Sequence, residues 1–310
     1  MLVCLTVWPA AAIHAAPAAP ADGASVPELI DRLLLHTQDE TVACVSDGSE
    51  GKRIVAVYLH PSDQSDDYAV HTEDIDRTLS RVDDVWDGAA DPFDQHPRWA
   101  CTPDTERPVI LDSTGPGVEE GAYTFAEVQD TLRHAGLADP NRVYLVFADH
   151  IGAFPYFGQA TVDADDRPGP ANLNDTGPAY AMVDAEATGW SYSSMWETAL
   201  HELGHALGAV QCSAPHSSCP AGETGKNHCW DETDVMCYDD GGSYFRGPDG
   251  VRGTDDDRTP TVVCPNDSSE AEQWDCNQDD SVNPSPGAGS YLATHWNIAY
   301  SDFVTPLQGE

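Results

Sequence analysis

His201-Glu202-Leu203-Gly204-His205 is an H-E-x-x-H pentad, and it constrains this chain more than any other stretch because its two histidines act together only on a helix. Positions i and i+4 of a helix share one face, so the imidazoles converge on one point while Glu202, beside the first, turns toward a water held there. Trp196, Leu200, Leu203 and Leu207 fall around the pentad at helical spacing and form its packing stripe. The pattern predicts a helix over 194–210, and Gly208 stands where such a helix can break. Two histidines and a carboxylate in this order are the geometry of a zinc hydrolase, which needs a third protein ligand and keeps one position for water.

Charge narrows the partners. Fifty-three acidic residues against fourteen basic ones give a formal charge of -39, which repels phosphate backbones and anionic headgroups. Nucleic acid and membrane surfaces are therefore poor partners, and the substrates expected are proteins or peptides, neutral or basic rather than acidic. Lysine is confined to Lys52 and Lys226. The acidity is spread along the chain and reads as a solvated acidic surface of the kind a high-salt habitat produces.

Residues 2 to 13 form a short apolar run followed by Ala/Pro-rich sequence. The run is too short to span a bilayer and reads as a signal peptide over 1–15 without its positive n-region, followed by a flexible stretch over 16–25. Export would leave eight cysteines once Cys4 departs, and an even number in an exported chain argues for disulfides. Proximity favours Cys44 with Cys101, Cys212 with Cys219, Cys229 with Cys237, and Cys264 with Cys276. No C-x-x-C is present to favour a cysteine-based zinc site.

Along the chain, Pro27 to Leu35 reads as a short helix and Arg53 to Leu59 as a buried strand. Thr72 to Trp86 places Ile75, Leu79, Val82, Val85 and Trp86 at helical spacing. Val109 to Leu111 is a second strand, Thr124 to Ala135 a second helix with Phe125, Val128 and Leu132 inward, and Val143 to Phe147 a third strand. This alternation implies an α/β layer with mainly parallel pairing. From Gly152 to Gly189 the sequence is loop-like, with Ala179 to Val183 as an edge strand. Its Asp- and Asn-rich part, and the later loop Asp249 to Asp257, are weak calcium candidates that match no EF-hand spacing. Ser290 to Ile298 reads as a closing amphipathic segment. There is no internal repeat and no linker after residue 25, so residues 26–310 form one domain.

Three residues downstream of the pentad could complete the metal site: Gln211, His216 and His228. With its pentad, its glycine turn and Asp234-Val-Met-Cys-Tyr238, the chain resembles the metzincins. Their usual pattern would put the third histidine at position 211, where this chain has Gln211, and a neutral amide oxygen is a weak zinc ligand. In their matrix-metalloprotease branch the third histidine precedes the Met-turn methionine by eight residues, and His228 precedes Met236 by eight. The resemblance thus implies His201, His205 and His228 as ligands, with Ala209 to Asn227 inserted between glycine turn and third ligand. It implies Glu202 as general base, Met236 as the apolar floor, and Tyr238 as a stabiliser of the oxyanion, matching the tyrosine of the astacin and serralysin branches. Ordinary core packing is the alternative for Tyr238.

Further pieces widen the resemblance to secreted, disulfide-containing bacterial zinc metalloproteases across residues 50 to 300. They are Tyr144 to Asp149, Asp166 to Asn172, His201 to Gln211 with Ser213 to His216, His228 to Asp231, and Gly289 to Asn297. His60, His71, His96, His134, His150 and His295 have no partner at ligand spacing. There is no G-x-S-x-G elbow and no phosphate-binding G-x-x-x-x-G-K-[ST] loop.

The expected architecture is α/β (α+β): a metzincin-like zincin domain with a twisted mixed sheet, a zinc helix and a disulfide-braced irregular C-terminal part. The expected activity is that of a secreted, monomeric zinc endopeptidase with Zn2+ as cofactor and Ca2+ as a weak structural candidate. The rivals are a zinc amidase or aminopeptidase on the same site, and a non-catalytic zinc-containing binding or adhesion module.

Overall fold

Nine consecutive buried residues make Arg53–Pro61 (β2) a strand covered on both faces, as parallel strands between two helical layers must be. In the computed structural model the described residues are 2–5, 44, 50–90, 94–102, 107–117, 123–152, 154–219, 227–231, 234–261 and 274–305. The helix expected over Pro27 to Leu35, the flexible stretch 16–25 and most of the leader expected over 1–15 lie outside them, as does Cys264.

The other strands are Leu2–Leu5 (β1), Ile110–Gly115 (β3), Arg142–Ala148 (β4), Gly158–Val162 (β5) and Ala179–Asp184 (β6). They form one sheet in the order β1-β5-β6-β4-β2-β3. β2 pairs in parallel with β3 and β4, and β4 with β6. β5 runs antiparallel to β6 and to β1, so the sheet is mixed.

Alternation along each strand divides the core in two. Ile54, Ala56 and Tyr58 of β2, with Val143, Leu145 and Phe147 of β4, face Tyr68–Ala90 (α1) and Tyr192–Ala206 (α3). Val55, Val57 and Leu59, with Tyr144 and Val146, face Phe125–His134 (α2). Ile75, Leu79, Val82 and Trp86 are the inward residues of α1 and are fully buried. α2 starts on a capping box, with Thr124 Oγ1 accepting from Glu127 N–H and the Glu127 carboxylate accepting from Thr124 N–H.

Two expectations change. Ala179–Val183 is not an edge strand: β6 lies between β4 and β5 and is buried throughout. β5 was hidden in the loop-like region, because Gly158-Gln-Ala-Thr-Val162 carries little apolar signal and gains its place by pairing with β6. Ser290 to Ile298 contains no α-helix; it is a chain of turns ending in a 3-10 turn at Ile298–Tyr300, anchored where Trp296 Nε1 donates to Leu207 O at 2.8 Å.

Disulfides Cys44–Cys101, Cys212–Cys219 and Cys229–Cys237 are present and fit an oxidising compartment. No helix among the described residues is long and apolar enough to cross a membrane.

Leu200 is fully buried where α3 meets the sheet, whereas Val70 on α1 is 69 % exposed. Leu200→Ala should cost about 2–5 kcal/mol in urea unfolding, and Val70→Ala less than about 0.5 kcal/mol. Equal losses would place α3 outside the core.

Candidate metal centre

α3 carries the pentad, and its ends explain how the pentad is aimed. The helix stops at Ala206 rather than continuing to 210. Gly208 takes a left-handed φ of 85° and Val210 one of 45°, turning the chain away. A Cβ at Gly208 would fall 2.4 Å from Asn174 Cγ, so glycine is required there for both conformation and space. Gln211 emerges from this turn pointing elsewhere: its Nε2 donates to Gly208 O at 3.0 Å and to Asp163 O at 3.2 Å.

His201, His205 and His228 meet at one buried point. His205 Nε2 lies 3.1 Å from His201 Nε2 and 3.0 Å from His228 Nε2, and the last two are 3.3 Å apart. His201 Nδ1 lies 2.8 Å from Val235 O and His228 Nδ1 3.2 Å from Asp240 Oδ2. Both partners are acceptors, which puts the proton on Nδ1 and a lone pair on Nε2. A proton on His205 Nε2 could satisfy two facing lone pairs only in a bent three-centre bond. A metal ion takes all three, and the group could hold one.

Burial, with His228 nearby, pushes the His201 imidazole down to about 3. Burial and the neighbouring His201 and His228 push His205 well below its usual range. Neutral imidazoles are what a metal requires.

The floor and walls are close-packed. A Cβ at Gly204 would lie 2.4 Å from Trp274 Cη2 and 2.8 Å from Met236 Sδ, so Met236, fully buried, presses against the pentad helix. Glu202 is also fully buried and lies against β5, where a Cβ at Gly158 would come 2.6 Å from Glu202 Cγ and 2.7 Å from Oε1. Tyr238 Oη lies 3.2 Å from His228 Nε2, at the edge of the cluster.

Residues 212–219, closed by Cys212–Cys219, pair with the segment that carries His228. Ser218 N–H donates to His228 O at 2.8 Å and Trp230 N–H to His216 O at 3.0 Å. Cys229–Cys237 then ties this segment to the turn bearing Met236.

His216 is not part of the cluster. Its Nδ1 lies 3.3 Å from Asp279 Oδ1 and 3.1 Å from Asp280 Oδ2, and its ring meets Trp230 edge-on. Asp279 and Asp280 raise its pKa to about 10, making it an imidazolium rather than a ligand.

The acidic residues are not all solvated. Among the described residues, Asp83, Asp149, Asp165, Asp175, Asp184, Asp231, Asp234, Asp275 and Asp280 are buried. Many hold backbone: Asp234 Oδ1 accepts from Met236 N–H at 2.7 Å, and Asp275 Oδ2 from Ser281 and Val282 at 2.7 and 2.6 Å. Burial, then its neighbour Asp280, lifts Asp275 to about 7. In the calcium-candidate loops the carboxylates are engaged by protein donors: Asp165 takes Arg167 and Leu173 N–H and Asp249 takes Val251 N–H within their own loops, while Asp166 accepts from Ser213 Oγ–H and Asp175 from Ser301 Oγ–H and Lys52 Nζ. Each of His60, His96 and His150, which had no partner by sequence spacing, lies beside two carboxylates in a group that could hold a metal ion.

No protein-family model matches the chain, and no curated protein matches it. The chemistry of the centre rests on its own residues.

The His216 pair gives a pH signature. Its pKa rises from 6.5 to about 10 on folding, so the stabilisation is complete below pH 6.5 and is lost as pH rises through about 10. His216→Gln should lose about 2 kcal/mol near pH 6, with the gap from the parent closing by pH 10–11 in denaturation curves. A constant gap would show that the ion pair does not contribute.

Proposed function

We propose that this chain is a secreted, zinc-dependent endopeptidase of the metzincin type. The observation that carries the reading is the triangle of His201, His205 and His228 Nε2 atoms, with edges of 3.0–3.3 Å and Glu202 beside it on the same helix. A tetrahedral zinc with Zn–N bonds near 2.0–2.1 Å spaces its nitrogens by roughly 3.3 Å, and three histidines leave its fourth position open. The Met-turn methionine under the pentad and the three disulfides support the same reading.

When bound, the metal would supply a Lewis acid and lower the pKa of a water toward neutrality. Glu202, a carboxylate held against Gly158, would accept a proton from water and return it to the leaving amine. Tyr238 Oη, 3.2 Å from His228 Nε2, would donate to the oxygen that gains charge when a carbonyl is attacked. Gln211 and His216 stay outside the ligand set. A purely structural zinc site, as in a binding module, has no use for a buried carboxylate beside its first ligand on the helix.

Two measurements test this. Zinc content of the purified protein should fall from one per chain to near zero in His228→Ala and stay unchanged in His216→Ala. Glu202→Gln should retain zinc yet lose about 10²–10⁴-fold in hydrolysis of an internally quenched peptide blocked at both ends. Unchanged hydrolysis would refute the catalytic role, and cleavage confined to peptides with free N-termini would favour an aminopeptidase.

A further inference from the structure

We infer that Asp240 is the positioning residue of this centre: it fixes the tautomer and aim of His228 and strengthens that imidazole as a metal donor. The inference rests on the three-histidine reading above. The outer nitrogens of the three rings meet different surroundings. His201 Nδ1 donates to a neutral carbonyl, Val235 O, at 2.8 Å, and His205 Nδ1 has no hydrogen-bond partner among the described residues. His228 Nδ1 alone faces a carboxylate, Asp240 Oδ2 at 3.2 Å. A carboxylate behind a ligating imidazole shifts electron density toward the metal and holds the ring in plane.

Asp240 is itself fixed, which a positioning residue requires. Its side chain is 4 % exposed and that of His228 1 %. Its Oδ2 accepts from Ser218 Oγ–H at 2.9 Å and its Oδ1 from Gly242 N–H at 2.7 Å. Ser218 in turn donates its backbone N–H to His228 O at 2.8 Å. The disulfide-closed loop therefore grips the ligand's backbone directly and its ring through Asp240. A Cβ at Gly242 would lie 2.8 Å from Asp240 Oδ1 and 2.4 Å from Ser218 O, so the backbone approaches the carboxylate as closely as glycine allows.

The test is competition for Zn2+ against a chromophoric chelator, using the full chain. Asp240→Asn, which keeps the shape and removes the charge, should weaken zinc binding by about 10–100-fold while the metal-free protein melts within about two degrees of the parent. In the His228→Ala background the same substitution should change residual zinc affinity by less than about twofold, because its effect runs through that ring. Equal weakening in both backgrounds, or an Asp240→Asn affinity equal to that of a zinc-binding parent, overturns the assignment. A parent that takes up no zinc removes the three-histidine reading itself and this inference with it. Nitrogen NMR of the zinc-loaded parent tests the tautomer without any variant. A His228 signal with its proton on Nδ1 is expected, and one with its proton on Nε2 would overturn it.

Discussion

Three imidazole nitrogens share one buried point in this protein, and the surrounding structure is arranged to hold them there. Two lone pairs at 3.3 Å with a third nitrogen 3.0–3.1 Å from both are unfavourable unless something positive lies between them. The chain keeps them together with rigid parts. A helix packed on a mixed sheet carries two of the rings, and a segment stapled by one disulfide and gripped by a loop closed with another carries the third. Met236 and Trp274 press on the helix at Gly204, the one pentad position without a side chain.

The extreme acidity has a structural side that the net charge conceals. Nine described aspartates are buried, and several cap turns or bind backbone N–H groups in the irregular region after α3. With few lysines and little regular secondary structure there, carboxylates replace helices and strands as the means of satisfying buried backbone donors. His216 supplies a cation facing Asp279 and Asp280 in this region, which explains its low value as a ligand.

The sheet and its three described helices were largely legible because local patterns point where tertiary packing agrees. Arg53 to Leu59, Thr72 to Trp86, Thr124 to Ala135 and Val143 to Phe147 each carry an apolar period strong enough to identify them. β5 was not legible, since Gly158-Gln-Ala-Thr-Val162 has no run of large apolar residues and becomes a strand only by hydrogen bonding to β6. Because β5 gives no local signal, β6 reads from the sequence as an edge strand, although it lies between β4 and β5. Short strands next to glycine are specified by neighbours far off in sequence, and those neighbours are invisible to a local window.

For the centre, the sequence by itself determined the pair His201 and His205 and the placement of Glu202, because helical geometry alone puts i and i+4 on one face. It also narrowed the third partner to Gln211, His216 or His228, and the metzincin resemblance favoured His228. Only the tertiary structure shows which of them joins the cluster, and it is His228. The choice depends on a left-handed turn at Gly208 and Val210 that sends Gln211 away, an ion pair that engages His216, and backbone bonds from the 212–219 loop that bring His228 in. Asp240 behind His228 belongs wholly to the fold: twelve residues separate the two in the chain, with no periodicity connecting them, and a bridge of Ser218 and Gly242 sets their contact.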